Sequence, residues 1–366
     1  MVFLRKTLIG IVLLFMPWMA LWAQSETHVE HVLYYTSVDQ HGDTLTLSGK
    51  ITVPEQPKGI ILMPHYTIAS NDEVPSNTTT AEAKYFMDDY VLIMPDYIGY
   101  GASRDRVHPY LRGDLTARNC VDMLFASHPV LDSLQVSLPK DTIYIVGFSQ
   151  GGASALWTFK LLEEEYSDKV CVRQCFAGSG PYDVAATYDE SIRTNKVGMP
   201  MVIPMLVMGT NEAYDLGLSR EVFLTPKMNK CYDDFVTSKN HSFTTLYFRM
   251  PSHKVSTWLT AHGADKTQPD TRRMYEGLLR SSLVHYPLDD SEIGREILCP
   301  EWRPKAKVYV FHSYNDRIVT FRCAEHLRRC WQDLPNVTYD FGNYGSHLRS
   351  SKTFYPRVKR MMDSNK

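Results

Sequence analysis

The sequence predicts an α/β fold: a mostly parallel central sheet flanked by helices and interrupted by a large helical insertion. Three observations carry this. Short apolar runs alternate with stretches of helical spacing over the first 180 or so residues, and such alternation requires crossover connections between parallel strands. The alternation is lost from about residue 184 to 303 and resumes at 306. One strand–helix junction reads Gly147-Phe148-Ser149-Gln150-Gly151-Gly152, a Gly-x-Ser-x-Gly turn in the setting where it exposes a nucleophile.

The elements follow in order. Residues 32–37 and 44–53 alternate in polarity and read as two strands of an opening hairpin. Residues 59–63 and 90–94 are short apolar strands. Residues 114–127 place Leu115, Val121, Leu124 and Phe125 at helical spacing. A strand at 142–146 feeds Ser149, a helix follows at 153–165, and 171–176 is the next strand. Beyond Pro181-Tyr182-Asp183 come helix-like pieces at 218–224, 232–236, 271–284 and 290–298. Methionines and aromatics are scattered among them: Met199, Met201, Met205, Met208, Phe223, Phe243, Tyr247, Phe248 and Trp258. Such adaptable side chains can line an apolar cleft, but ordinary core is the commoner use. A strand at 306–311, a helix at 321–332, a last strand at 337–341 and a last helix at 351–362 complete the pattern.

The first 23 residues have the shape of a secretory signal peptide. Arg5 and Lys6 precede an apolar run from 8 to 22, broken by Pro17, and Ala23 is a small residue for cleavage. The run is short and interrupted for a membrane span, so a cleaved signal is favoured over an uncleaved anchor. The expected plan is therefore a signal peptide at 1–23, a first core part at 24–183, a helical lid or cap at 184–303 and a second core part at 304–366. Loss of Arg5 and Lys6 from 39 basic residues, set against 41 acidic ones, leaves a net charge of about −4. That balance gives no reason to expect nucleic acid or an anionic membrane surface as partner. An exported chain can pair some of its seven cysteines, and the odd number leaves at least one over. Cys323 and Cys330 share a face of a predicted helix. No Cys-x-x-Cys or His-x-x-x-His spacing occurs, so a zinc site is not expected, and hydrolysis by a serine nucleophile requires no cofactor. Sequons at Asn77, Asn240 and Asn336 matter only in a eukaryotic secretory host.

A serine hydroxyl needs an adjacent base, and the base needs a third group to fix its tautomer. Glycines at 147 and 151 remove side chains where strand and helix nearly collide, so the turn can hold Ser149 in a strained conformation. The N–H of Gln150, opening the helix, would face a developing oxyanion. The acid candidate is Asp316, a few residues past the strand at 308–311. The base candidate is His347, in the glycine-containing loop after the last strand. His312, at a strand end, His326, inside a helix, and His253 and His262, in the insertion, fit less well. Asp340, within a strand, is the backup acid. The second oxyanion N–H should come from the loop 63–67, by position Thr67 or the adjacent Tyr66. Asp96, in Pro95-Asp96-Tyr97-Ile98-Gly99-Tyr100-Gly101, reads as a structural loop residue near the same edge.

The elbow, the Asp316 and His347 loops and the Pro-Asp-Tyr-x-Gly-x-Gly motif together resemble the α/β-hydrolase superfamily. Within it they resemble the secretory lipase group, which carries a helical lid between the sixth and seventh strands. The resemblance covers the core on both sides of the insertion. It implies an α/β-hydrolase fold with Ser149 as nucleophile, Asp316 as orienting acid and His347 as base. The expected function is an exported serine hydrolase cleaving carboxylic esters, the substrate being a small ester, a lipid or an acylated glycan. Two alternatives remain. A peptidase of the same fold would use an acidic pair to grip a free amine, with Asp233-Asp234 or Asp289-Asp290 as candidates. A non-catalytic binding protein would keep the fold with His347 out of reach of Ser149.

Overall fold

The computed structural model describes residues 28–287 and 297–364. The signal-peptide expectation, the Asp289-Asp290 pair and most of the 290–298 piece lie outside the described residues. The chain opens with the hairpin β1 (His28–Val38) and β2 (Thr44–Pro54), then β3 (Ile60–Leu62) and β4 (Val91–Pro95). Helix α1 (Gly113–Ser133), β5 (Thr142–Phe148), α2 (Gln150–Glu165) and β6 (Cys171–Gly178) follow. Next come α3 (Val184–Thr194), α4 (Val202–Ala213), α5 (Arg220–Phe223) and α6 (Pro226–Tyr232). Then come α7 (Phe243–Arg249), α8 (Ala261–Ala264) and α9 (Pro269–Ser281). The chain ends with β7 (Lys307–Ser313), α10 (Arg322–Trp331), β8 (Val337–Gly342) and α11 (His347–Ser364).

The eight strands form one sheet in the order β1-β2-β4-β3-β5-β6-β7-β8. β1 pairs antiparallel with β2 and β2 with β4, and every pairing from β4 to β8 is parallel. Strand alternation splits the core. Ile143 and Ile145 of β5 pack on one face with Leu124 of α1, Leu156 of α2 and Leu327 of α10. Tyr144, Val146 and Phe148 pack on the other with Phe354, Tyr355 and Val358 of α11. No helix among the described residues is long and apolar enough to cross a membrane.

Helices α3 to α9 lie in sequence between β6 and β7 and share a separate apolar core. Met199, Met201, Met205, Phe223 and Trp258 are buried in it, whereas Tyr247 and Phe248 are exposed. The predicted helix at 232–236 is a wide helical turn at residues 233–237. Two helices outrun their predicted limits. α1 continues past Pro129 to Ser133, because completely buried Leu131 offsets the lost backbone bond. α11 begins four residues before 351, at His347 itself. Cys330 bonds to Cys299, not to its helix neighbour Cys323, and ties the segment before β7 to α10. Cys120, Cys175 and Cys323 are buried free thiols, while free Cys171 is exposed.

Candidate active site

Ser149 caps the junction of β5 and α2 with φ +59° and ψ −127°, a conformation that non-glycine residues adopt only under constraint. The constraint is close packing of backbone. A Cβ on Gly147 would lie 2.0 Å from the Gly151 carbonyl oxygen, and one on Gly152 would lie 2.5 Å from that of Gly178. A Cβ on Gly151 would lie 2.2 Å from the Pro64 carbonyl oxygen and 2.9 Å from that of His65. The elbow thus presses directly against the loop after β3.

Asp316 and His347 reach the same point from the carboxyl ends of β7 and β8. His347 Nε2 lies 2.8 Å from Ser149 Oγ, and its Nδ1 lies 2.5 Å from Asp316 Oδ2. The carboxylate can only accept, so Nδ1–H donates to it and Nε2 is left to accept from the serine hydroxyl. The other oxygen, Oδ1, accepts from the N–H groups of Ile318 (2.9 Å) and Val319 (3.0 Å). Burial pushes the Asp316 carboxyl up, but His347 and the Ile318 N–H outweigh it and hold it below the usual carboxylate range. His312 sits behind the acid, its Nε2 donating to the Val319 carbonyl (3.2 Å) and lying 3.7 Å from Asp316 Oδ2. Burial keeps it neutral.

Gln150, Thr67 and Tyr66 line the same cavity as Ser149 and His347. Gln150 and Thr67 are almost completely buried. Thr67 Oγ1 bonds Tyr110 Oη at 2.8 Å, and the Tyr66 carbonyl accepts from His65 Nδ1 at 2.6 Å. Sequence reasoning missed a support for Gln150. His108 donates from Nδ1 to the Ile98 carbonyl (2.7 Å), so its Nε2 is free to accept the Gln150 side-chain N–H at 3.0 Å. Burial lowers this imidazole to about 3, so it stays neutral. No local signal links two residues so far apart in sequence.

The cavity holds about 330 Å³, within the usual range for a small-molecule site. Its walls beyond the polar end are apolar, with Leu111, Val184, Val202, Leu206, Phe243 and Ile318 among them. Phe243 is the one member of the scattered methionine and aromatic set that reaches it.

The other candidates lie elsewhere. Asp340 is occupied by Tyr309, Arg357 and Tyr344, the last at 2.5 Å. Asp96 is buried and structural, accepting from Ser48 Oγ (2.6 Å) and the Ser76 N–H (2.9 Å). Asp233 pairs with Arg220 (2.7 Å) and Asp234 with His241 (2.8 Å), exposed and away from the cavity. His326 meets His285 on Asp183, all three buried: the two Nδ1 atoms lie 2.6 and 2.9 Å from its carboxylate.

Sheet order and elbow define an α/β-hydrolase fold. No protein-family model matches the chain. Among curated proteins it is similar to a secreted triacylglycerol lipase of Malassezia furfur, 24% identical over 264 residues, covering 71% of this chain and 61% of the relative. A second secreted triacylglycerol lipase, of Malassezia restricta, is 22% identical over 326 residues, 82% of this chain and 62% of the relative. The chain thus spans about six-tenths of the length of these relatives. Among solved structures, the rice cell wall degrading esterase of Xanthomonas oryzae superposes with a TM-score of 0.73 at 20% identity, covering 92% of this chain and 89% of that one. Candida antarctica lipase A in its closed state gives 0.67 at 15%, covering 93% and 79%.

Proposed function

We propose that the protein is an exported serine hydrolase of carboxylic esters. The observation that carries this reading is the buried chain Asp316 Oδ2–His347–Ser149 Oγ, with spacings of 2.5 and 2.8 Å. Ser149 Oγ attacks the ester carbonyl while His347 Nε2 takes its proton. The Asp316 carboxylate stabilises the imidazolium. The Gln150 and Thr67 N–H groups, with Tyr66 as the neighbouring option, hold the oxyanion. His347 then protonates the departing alcohol. A water molecule, deprotonated by the same nitrogen, releases the acyl group from Ser149.

The apolar cavity supports an acyl chain as the part that is gripped, in the ester of a lipid or of an acylated glycan. The lipase and esterase relatives support ester over peptide chemistry. Residues 184–303 act as the cap over this cavity, with α4 and α7 supplying walls. Export rests on the basic and apolar start of the sequence and on relatives described as secreted. The periplasm or the medium is the destination.

The test is turnover of a short-chain nitrophenyl ester by the wild type and by Ser149→Ala. The variant is expected to stay folded and lose turnover. A folded variant with wild-type turnover removes Ser149 from the mechanism.

A further inference from the structure

The loop carrying Tyr66 and Thr67 has no regular structure between β3 and Ser70. Something must hold it if its N–H groups are to face a transition state within a few tenths of an ångström. On one side the close approach of Gly151 does so. On the other, Tyr100 Oη donates to the Ile68 carbonyl at 2.8 Å, and the next two backbone N–H groups converge on one side chain. Glu73 Oε2 accepts from the N–H groups of Ala69 (3.0 Å) and Ser70 (3.1 Å). The same oxygen accepts a third N–H, that of Phe243 (3.0 Å), which also lies 3.1 Å from Oε1. Phe243 is the first residue of α7, 170 residues away in sequence. Phe243, Thr244 and Glu73 all line the substrate cavity. A second bond joins the same partners: the Asn71 N–H donates to the Lys239 carbonyl at 2.9 Å.

We infer that Glu73 is a positioning residue that couples cap docking to the oxyanion site, an inference that rests on the ester-hydrolase reading above. A carboxylate oxygen with three N–H donors makes charge-assisted bonds, stronger than those between neutral groups. With α7 seated, its N–H shares that oxygen with the end of the oxyanion loop, so loop and cavity wall are fixed together. Without the carboxylate, the loop loses two anchors and the first residue of α7 loses its bond to the loop. The Thr67 N–H and the Phe243 ring then shift together.

The experiment compares kcat and KM for a short and a long acyl nitrophenyl ester. Glu73→Ala is expected to lower kcat on both esters by about tenfold to a hundredfold, the scale of an ångström of misplacement, and to raise KM mainly for the long one. Glu73→Gln keeps an oxygen for the three donors and is expected to recover most of the loss. Phe243→Pro deletes the cap-side N–H together with the ring, at a helix position where proline is well tolerated, and Phe243→Ala, which loses the ring alone, is its control. The proline variant is expected to show the lower kcat and higher long-chain KM of the two. If Glu73→Ala does not fold, this pair decides. Wild-type kcat in a folded Glu73→Ala, or identical constants for the Phe243 pair, overturns the inference. Ser149→Ala separates the two claims. If that variant is silent while Glu73→Ala is fully active, only the Glu73 inference falls. If Ser149→Ala turns over normally, the underlying reading falls with it.

Discussion

Asp316 and His347, 31 residues apart in the chain and both buried, meet at 2.5 Å through Oδ2 and Nδ1. This contact orients the buried imidazole, because an acceptor-only carboxylate forces the proton onto Nδ1. Asp316→Asn places an amide there, which can present its N–H to the ring and favour the wrong tautomer. We predict a fall in ester turnover of about 10⁴-fold in a variant that still folds. Steady-state kinetics with a melting curve checks this. A fall of tenfold or less means that the acid does not set the tautomer.

Gly151→Ala tests the packing that seats the loop proposed to hold the oxyanion. Alanine is the better helix former, yet its Cβ would meet the Pro64 carbonyl oxygen at 2.2 Å. Backbone has to move, at a cost of about 1–3 kcal/mol. The movement displaces the segment that carries Thr67. A lower melting temperature together with at least a tenfold lower kcat is expected. Normal kinetics in this variant would separate the 64–67 loop from the oxyanion site.

The cluster of Asp183, His285 and His326 joins the end of the first core part, the end of the insertion and α10. Burial pushes the Asp183 carboxyl up, but bonds from His285 and His326 overcome this and hold it below the usual carboxylate range. The group therefore adds stability that is fully present above its unfolded value, about pH 4, and is lost as pH falls through the lower folded value. The stability gap between wild type and Asp183→Asn should be full at pH 7 and shrink toward pH 3. Urea unfolding at the two pH values measures it, and a gap independent of pH contradicts the assignment.

The Cys299–Cys330 bond closes a loop of 31 residues. Loop-closure entropy for that length is worth about 3–4 kcal/mol. Cys299→Ser is expected to lower the melting temperature while ester turnover at 25 °C persists, since neither cysteine lines the cavity. An unchanged melting temperature means that the bond carries no stability.

Much of the fold was legible because its signals are local. Period-two alternation marked the opening hairpin and short apolar runs marked the parallel strands. The two glycines around Ser149 announced a turn that needs no distant partner, and Asp316 and His347 each follow a recognisable strand. What sequence could not place depends on residues remote in the chain. A helical-face argument puts Cys323 beside Cys330, but the true partner, Cys299, lies outside that helix. Glu73 closes a capping box with Ser70, and nothing near it in sequence says that its carboxylate also takes an N–H from α7. His326 reads as an ordinary helix residue until Asp183 and His285 arrive beside it. Helical spacing alone stopped α1 at 127, whereas burial of Leu131 extends the helix past Pro129.

The most direct measurement is covalent labelling with a fluorophosphonate, read by peptide mass spectrometry. The phosphonyl group should be found on Ser149 of the wild-type protein, with labelling strongly slowed in His347→Ala and absent from Ser149→Ala. An unlabelled wild type, or a label on another residue that survives in Ser149→Ala, would contradict a nucleophilic Ser149.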